Sequence, residues 1–168
     1  MASNNLQRGE TMATVNREEI IRDNRRISIQ IEQMANSSMA EQDLTAMQAN
    51  MLRYILRHSD TGTSLTAIHR EFGYSMAALS GMLKRLRKKG YVRVEPCDGD
   101  DRRKLLFGTS QGEEVREYLD RAMDTAQDRL CDCFSPEELE SLDRLQKKML
   151  QNLSALSEKK HNKEASES

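Results

Sequence analysis

Between Lys84 and Lys104 the chain sets nine Lys or Arg against four Asp or Glu, a local net of +5 in a 168-residue sequence whose formal charge is −1. The remainder therefore carries −6. Ammonium and guanidinium groups gathered in this way pair with phosphates, and the guanidinium fork can also meet two acceptors of a base edge at once. Other chemistries find less to work with. His58, His69 and His161 stand in no arrangement with a nucleophile or carboxylate, and no Gly-rich loop could cradle a nucleotide phosphate. The Asp98-Gly99-Asp100-Asp101 run offers too few oxygens for a calcium loop and lacks its following Glu. Cys97, Cys131 and Cys133 are odd in number and without framework spacing, so they read as reduced thiols. Cys131 and Cys133, about 200° apart around a helix, are not expected to clamp one metal. The expectation is a binding protein, not an enzyme, with no catalytic residue, metal or cofactor.

The elements that would carry those cations are mostly helices, because Leu and Met supply most of the apolar mass and there is no Trp. Ile20, Ile27, Ile31 and Met34 form one stripe of a helix from Arg17 to about Ser37. Thr45 and Gln48 have capping-box form, ahead of a second helix lined by Met47, Met51, Leu52 and Ile55 that ends near His58. A third runs from about Ser64 to Phe72 and stops at Gly73; a fourth runs from Ser75 to Lys89 and stops at Gly90. Two short helices joined by Phe72-Gly73-Tyr74-Ser75 are the form of a helix-turn-helix. On the fourth, Leu79, Met82, Leu83 and Leu86 share one side, opposite Ala77, Ser80, Gly81, Lys84, Arg85 and Lys88. Its outward face begins small and ends cationic, as a helix entering a groove between two phosphate walls would.

The alternating Tyr91-Val92-Arg93-Val94-Glu95 run, a turn-rich Pro96 to Arg103 segment and a returning Lys104-Leu105-Leu106-Phe107-Gly108 strand make a hairpin, a wing. Arg102 and Arg103 sit at or near its tip, where a guanidinium can enter a narrow minor groove. Asp101-Arg102-Arg103, the later Thr109-Ser110-Gln111-Gly112, and Leu83 to Val92 with its Lys88-Lys89-Gly90-Tyr91-Val92 run resemble the MarR family of transcriptional regulators. The resemblance covers about Asp43 to Gly112 by motif and most of the chain by helix layout. It implies that Arg103 is a minor-groove finger positioned by Asp101. It also departs from the family pattern: Gly108 replaces the usual Leu before Thr109, loosening the strand's end, and Gly81 stands where a polar base reader is common. Ser64, Ser75, Met76, Ala77, Ala78, Ser80 and Gly81, with Lys84, Arg85, Lys88, Arg102 and Arg103, are the expected DNA contacts, with thin direct readout and more weight on DNA shape.

Beyond the wing, a helix is expected from Thr109 to about Phe134, and another is restarted by Ser135-Pro136-Glu137-Glu138, with Leu142, Leu145, Met149, Leu153 and Leu156 spaced as a packing seam. One protomer has too little core to cover this seam and the Ile20 to Met34 stripe, so a two-fold homodimer is expected, holding two recognition helices over a pseudo-palindromic duplex. The fold expected is mainly α with a small β-hairpin, a winged helix-turn-helix over 43–108. Dimerisation helices fill 17–42 and 109–157, and the arm 1–16 and tail 158–168 are polar and disordered. No run is long and apolar enough for a membrane span or signal peptide, which points to the cytoplasm. The resemblance further implies a repressor tuned by a small aromatic or anionic effector, for which Arg53, Tyr54, Arg57 and His58 are candidates. The competing readings are a winged helix that binds protein or RNA, and a thiol-based redox regulator using Cys97.

Overall fold

The computed structural model describes residues 15–97 and 100–166, and side chains over 15–97 and 104–156. Most of the expected arm 1–16, and the Asp101, Arg102 and Arg103 side chains, therefore lie outside the described part. Among the described residues, seven helices and one hairpin follow in the order α1 (Arg17–Met39), a 3-10 turn (Ala40–Gln42), α2 (Ala46–Arg57), α3 (Leu65–Phe72), α4 (Met76–Lys88), β1 (Val92–Cys97), β2 (Asp100–Gly108), α5 (Ser110–Glu114), α6 (Arg116–Cys131) and α7 (Pro136–Ser166). They divide into two compact units, Met1–Leu119 and Asp120–Ser168.

In the first unit the local signals work as capping chemistry predicts. Thr45 accepts from Gln48 N at 3.2 Å while the Gln48 side chain accepts from Thr45 N at 3.3 Å, a complete capping box. Ser64 caps α3 through Ala67 N, and Gly73 closes that helix at φ 70°, a left-handed geometry glycine adopts without steric cost. Ser75 caps α4 through Ala78 N at 3.2 Å. Met39, Met51, Leu52, Ile55, Ile68, Leu79, Leu86, Leu106 and Leu119 are fully buried, so α2, α3, α4 and the hairpin base share one core. The Met34 to Met51 stretch contributes to that core, with Met39 and Met51 at zero exposure.

The hairpin is antiparallel and pairs Val92 with Gly108 through Pro96 with Lys104; the partner of the next residue, Cys97, is Asp100. That jump leaves Asp101, Arg102 and Arg103 as a bulge within β2, so the returning strand starts at Asp100 and not at Lys104 as expected. A bulge lets pairing continue past a segment whose composition reads as turn. The base of the hairpin is held by a short bridge missed in the sequence: Thr63 N donates to Leu106 O at 3.0 Å, and Leu106 N to Thr63 O at 2.7 Å.

The helix expected from Thr109 is broken at Val115. Its first turn is tied to the hairpin base, where Thr109 Oγ1 donates to Gly90 O at 2.5 Å and accepts from Gly112 N at 3.0 Å. Just beyond, Arg116 Nη2 donates to Leu56 O at 2.6 Å, capping α2. Anchors to two different elements on either side of Val115 interrupt the regular helix. On α1, Ala35 and Met39 are buried but the expected stripe is not: Ile20, Ile27 and Ile31 are open, Ile27 by 50%.

In the second unit, Ser135 and Glu138 form the expected capping box ahead of α7. The helix continues to Ser166, past the point where a tail was expected at 158, because Glu, Lys and Ala in that run are good helix formers. Leu142, Leu145, Met149, Leu153 and Leu156 are all exposed on it.

Candidate nucleic-acid interface

The N-terminal half of α4 presents Ser75, Met76, Ala77, Ser80 and Gly81 to solvent, while Ala78 is half-buried and contributes less surface than expected. Only hydroxyls among these can hydrogen-bond, and the Ser75 oxygen is engaged as the helix cap. No Cβ added at Gly81 would meet another atom within 4 Å, so the face there is open.

The C-terminal half does not carry its cations on one continuous face. Arg85 and Lys89 turn toward the α1–α2 junction, where with Asp43, Thr45 and Gln48 they line a cleft of about 720 Å³. Lys84 and Arg87 instead flank β1 beside Arg93, around a second depression of about 560 Å³. Lys88 borders both. The 100° step between residues 84 and 85 separates them onto opposite flanks. Asp43, at φ 51°, receives Lys89 Nζ at 2.5 Å. The Lys89 ammonium holds the Asp43 carboxyl below the ordinary Asp range through that hydrogen bond and its charge.

Ser64 is half-buried, and its Oγ accepts from Ala67 N at 3.2 Å. It borders a third cleft, of about 530 Å³, between α3, α4 and the hairpin. The Arg93 guanidinium lies 4.4 Å from the Phe107 ring centroid and pairs with Glu95.

The proposed effector residues stand on α2. Tyr54 stacks on His58 with centroids 4.1 Å apart, and His58 Nδ1 donates to Tyr54 O at 2.8 Å. Arg53 is half-buried and Arg57 exposed, and both are engaged by other groups. Phe72 packs edge-on against Tyr54 and stacks on Tyr74, each pair at 5.7 Å. Sequence reasoning missed Phe72 and Tyr74 because the contact joins residues far apart in the chain. The column braces α2 against the α3–α4 turn. His69 Nδ1 donates to Tyr74 O at 2.7 Å across that turn. Among the cysteines, Cys97 ends β1, Cys131 ends α6 and Cys133 lies in the turn after it, all as free thiols. The helical angle invoked to separate Cys131 from Cys133 therefore does not apply. Among the described residues no three His, Cys, Asp or Glu gather for a metal, and no helix is long and apolar enough to cross a membrane.

The model of the MarR family matches residues 42–103 of the chain. Among curated proteins none matches. Solved structures with the same fold include the S. aureus MepR–DNA complex, 24% identical, with TM-score 0.73 over 83% of this chain and 99% of that one. The transcriptional regulator SlyA is 19% identical, with TM-score 0.75 over 82% and 95%. A MarR family regulator from Listeria monocytogenes, complexed with a 26mer DNA, is 20% identical, with TM-score 0.73 over 86% and 91%. The winged helix-turn-helix expected from the sequence is thus the fold of the chain.

Proposed function

We propose that this chain, with the MarR fold throughout and the family match over residues 42–103, is a transcriptional regulator that binds pseudo-palindromic duplex DNA as a homodimer and represses. The observation that carries the reading is the recognition helix: α4 is capped, exposed and small along its N-terminal half, and cationic on both flanks of its C-terminal half. A helix of this build enters a major groove with its first turns while later cations reach phosphates on either wall. MepR and the Listeria regulator, both solved with DNA, support the choice of duplex over protein or RNA. The acidic surplus elsewhere keeps the cationic module the favoured side for the polyanion.

Unpartnered apolar surface supports the dimer. Ile20, Ile27 and Ile31 on α1, and separately Leu145, Leu153 and Leu156 on α7, are exposed in one protomer, and a second copy would cover them. An effector with a carboxylate would find cations in the cleft lined by Arg85, Lys88 and Lys89, next to the Asp43 contact that ties α4 to the α1–α2 junction. Ligand charge there would compete for Lys89 and shift α4, which makes this cleft a better site than the Tyr54–His58 stack.

Duplex binding measured over a salt series tests the reading. Each phosphate contact adds about −0.9 to the log–log slope, so several contacts give a steep fall in affinity with salt. A flat response refutes the DNA assignment and favours a protein-binding winged helix.

A further inference from the structure

The third cleft lies between the two elements proposed to read DNA, α4 and the hairpin. One wall is α4 at Leu83; the facing wall is the hairpin at Val94 and Lys104; the end is closed by α3 at Thr66 and Arg70. Lys104 pairs with Pro96, immediately before the Asp101–Arg103 bulge, while Leu106 is fixed to Thr63 by two hydrogen bonds. The cleft therefore lies between the anchored base of the wing and the segment that bears its arginines. In B-DNA a single sugar-phosphate strand separates a major groove from the adjacent minor groove. If α4 lies in the first and the wing in the second, that strand has to pass between α4 and the hairpin.

We propose that this cleft seats a backbone phosphate of that strand, with Arg70 and Lys104 as its charged partners and the Thr66 hydroxyl as a neutral donor. The proposal rests on the duplex-binding reading and adds residues outside the recognition helix and the wing tip. Arg70 and Lys104 are both exposed and come from opposite sides of the cleft, so a phosphate between them shares its single negative charge with both and clamps α3 to the hairpin. Such a contact reports no base. It sets the depth and angle at which α4 meets the groove, which makes the two cations positioning residues for whatever α4 reads.

The test is a salt titration of full-length wild type, Arg70→Gln, Lys104→Gln and the double variant on a random-sequence duplex. Lys147→Gln on α7 serves as the control for loss of a charge elsewhere. The double variant, which removes the one phosphate contact, is expected to reduce the slope by about 0.9, and each single variant by a part of that. Affinity at moderate salt should fall several-fold, equally for every sequence tested, and Arg70→Lys should keep the wild-type slope. Both positions are exposed, so melting temperatures should stay at the wild-type value. A wild-type slope in the double variant, or a loss equal to that of Lys147→Gln, overturns the phosphate site while leaving duplex binding intact. A wild-type protein that does not bind duplex overturns the functional reading first and this proposal with it.

Discussion

Gly112→Ala puts two known effects in opposition. Gly112 lies in α5 with an ordinary helical backbone, so alanine there should gain helix propensity worth about 0.8–1 kcal/mol. A Cβ at that position, however, would sit 2.4 Å from Tyr91 O and 3.4 Å from Leu56 Cδ2. The obstruction is backbone, and it cannot swing aside, because the same carbonyl accepts from Thr109 N at 3.1 Å. Leu56, 2% exposed, would be in ordinary contact, so the clash is with the Tyr91 carbonyl. Overpacking of this kind costs about 1–3 kcal/mol, occasionally more, and contact with fixed backbone belongs at the upper end. The clash wins by roughly 2 kcal/mol, which for a chain of this size lowers the melting temperature by about 4–8 °C.

Gly81→Ala is the same chemical change on open helix surface, and there only the propensity gain remains, so stability should rise by about 0.5–1 kcal/mol. Thermal and urea unfolding of both variants, at one protein concentration so that any self-association is held equal, gives the comparison. A Gly112→Ala protein as stable as wild type would refute the claim that α5 is pressed onto the end of the α4–β1 turn. A loss in Gly81→Ala would refute the claim that the recognition face is unobstructed.

Arg103→Ala should weaken operator binding by roughly 1–3 kcal/mol without dissociating the dimer, as for a guanidinium inserted in a groove; wild-type affinity would remove Arg103 as the finger. Ile27→Glu and Leu153→Glu each bury a charge if the α1 and α7 faces form the subunit interface, so both should sediment as monomers at micromolar concentration. Dimers in both cases would place the interface elsewhere. Asp43 has a depressed folded-state pKa, so its pairing with Lys89 stabilises above the unfolded Asp value and is lost as pH falls through the lower folded one. Asp43→Asn keeps a residue tolerated at positive φ. Its melting temperature should lie below wild type near neutral pH and converge with it on acidification past about pH 4, whereas a constant gap would mean the charge plays no part.

What was legible in the sequence is what is local. Caps at Thr45, Ser75 and Ser135, stops at Gly73 and Gly90, and the alternation of β1 each depend on residues within a few positions, and each stands where the pattern put it. Contacts between distant segments left no such trace. Nothing in Thr63 announces a bridge to Leu106, nor anything in Arg116 a cap on Leu56, because those pairings are fixed by the packing of α2 beneath the hairpin. Gly108 shows the limit from the other side. As a departure from the family pattern it suggested a loosened strand end, yet its N–H donates to Ser59 Oγ at 2.8 Å and a Cβ would meet Leu56 Cδ2 at 2.4 Å. The missing side chain permits close approach to α2 and tightens the end instead.

That tight base bears on how the interface can discriminate. Two backbone hydrogen bonds at Thr63, the Ser59 contact to Gly108 and the Thr109 bond to Gly90 fix the hairpin to the body that carries α4. A helix and a hairpin held in one rigid frame reach two grooves only where the duplex presents them at the matching spacing and width. The reading half of α4 offers Ser80 and the Met76 side chain but no Arg, Asn or Gln to take a base edge in bidentate fashion. If the chain binds duplex DNA as proposed, then with few base-edge partners and a fixed separation between probes the energy that distinguishes one duplex from another comes chiefly from deforming DNA to fit the frame. On that reading the cations on both flanks of α4 would hold the deformed strand through phosphates that are the same in every sequence.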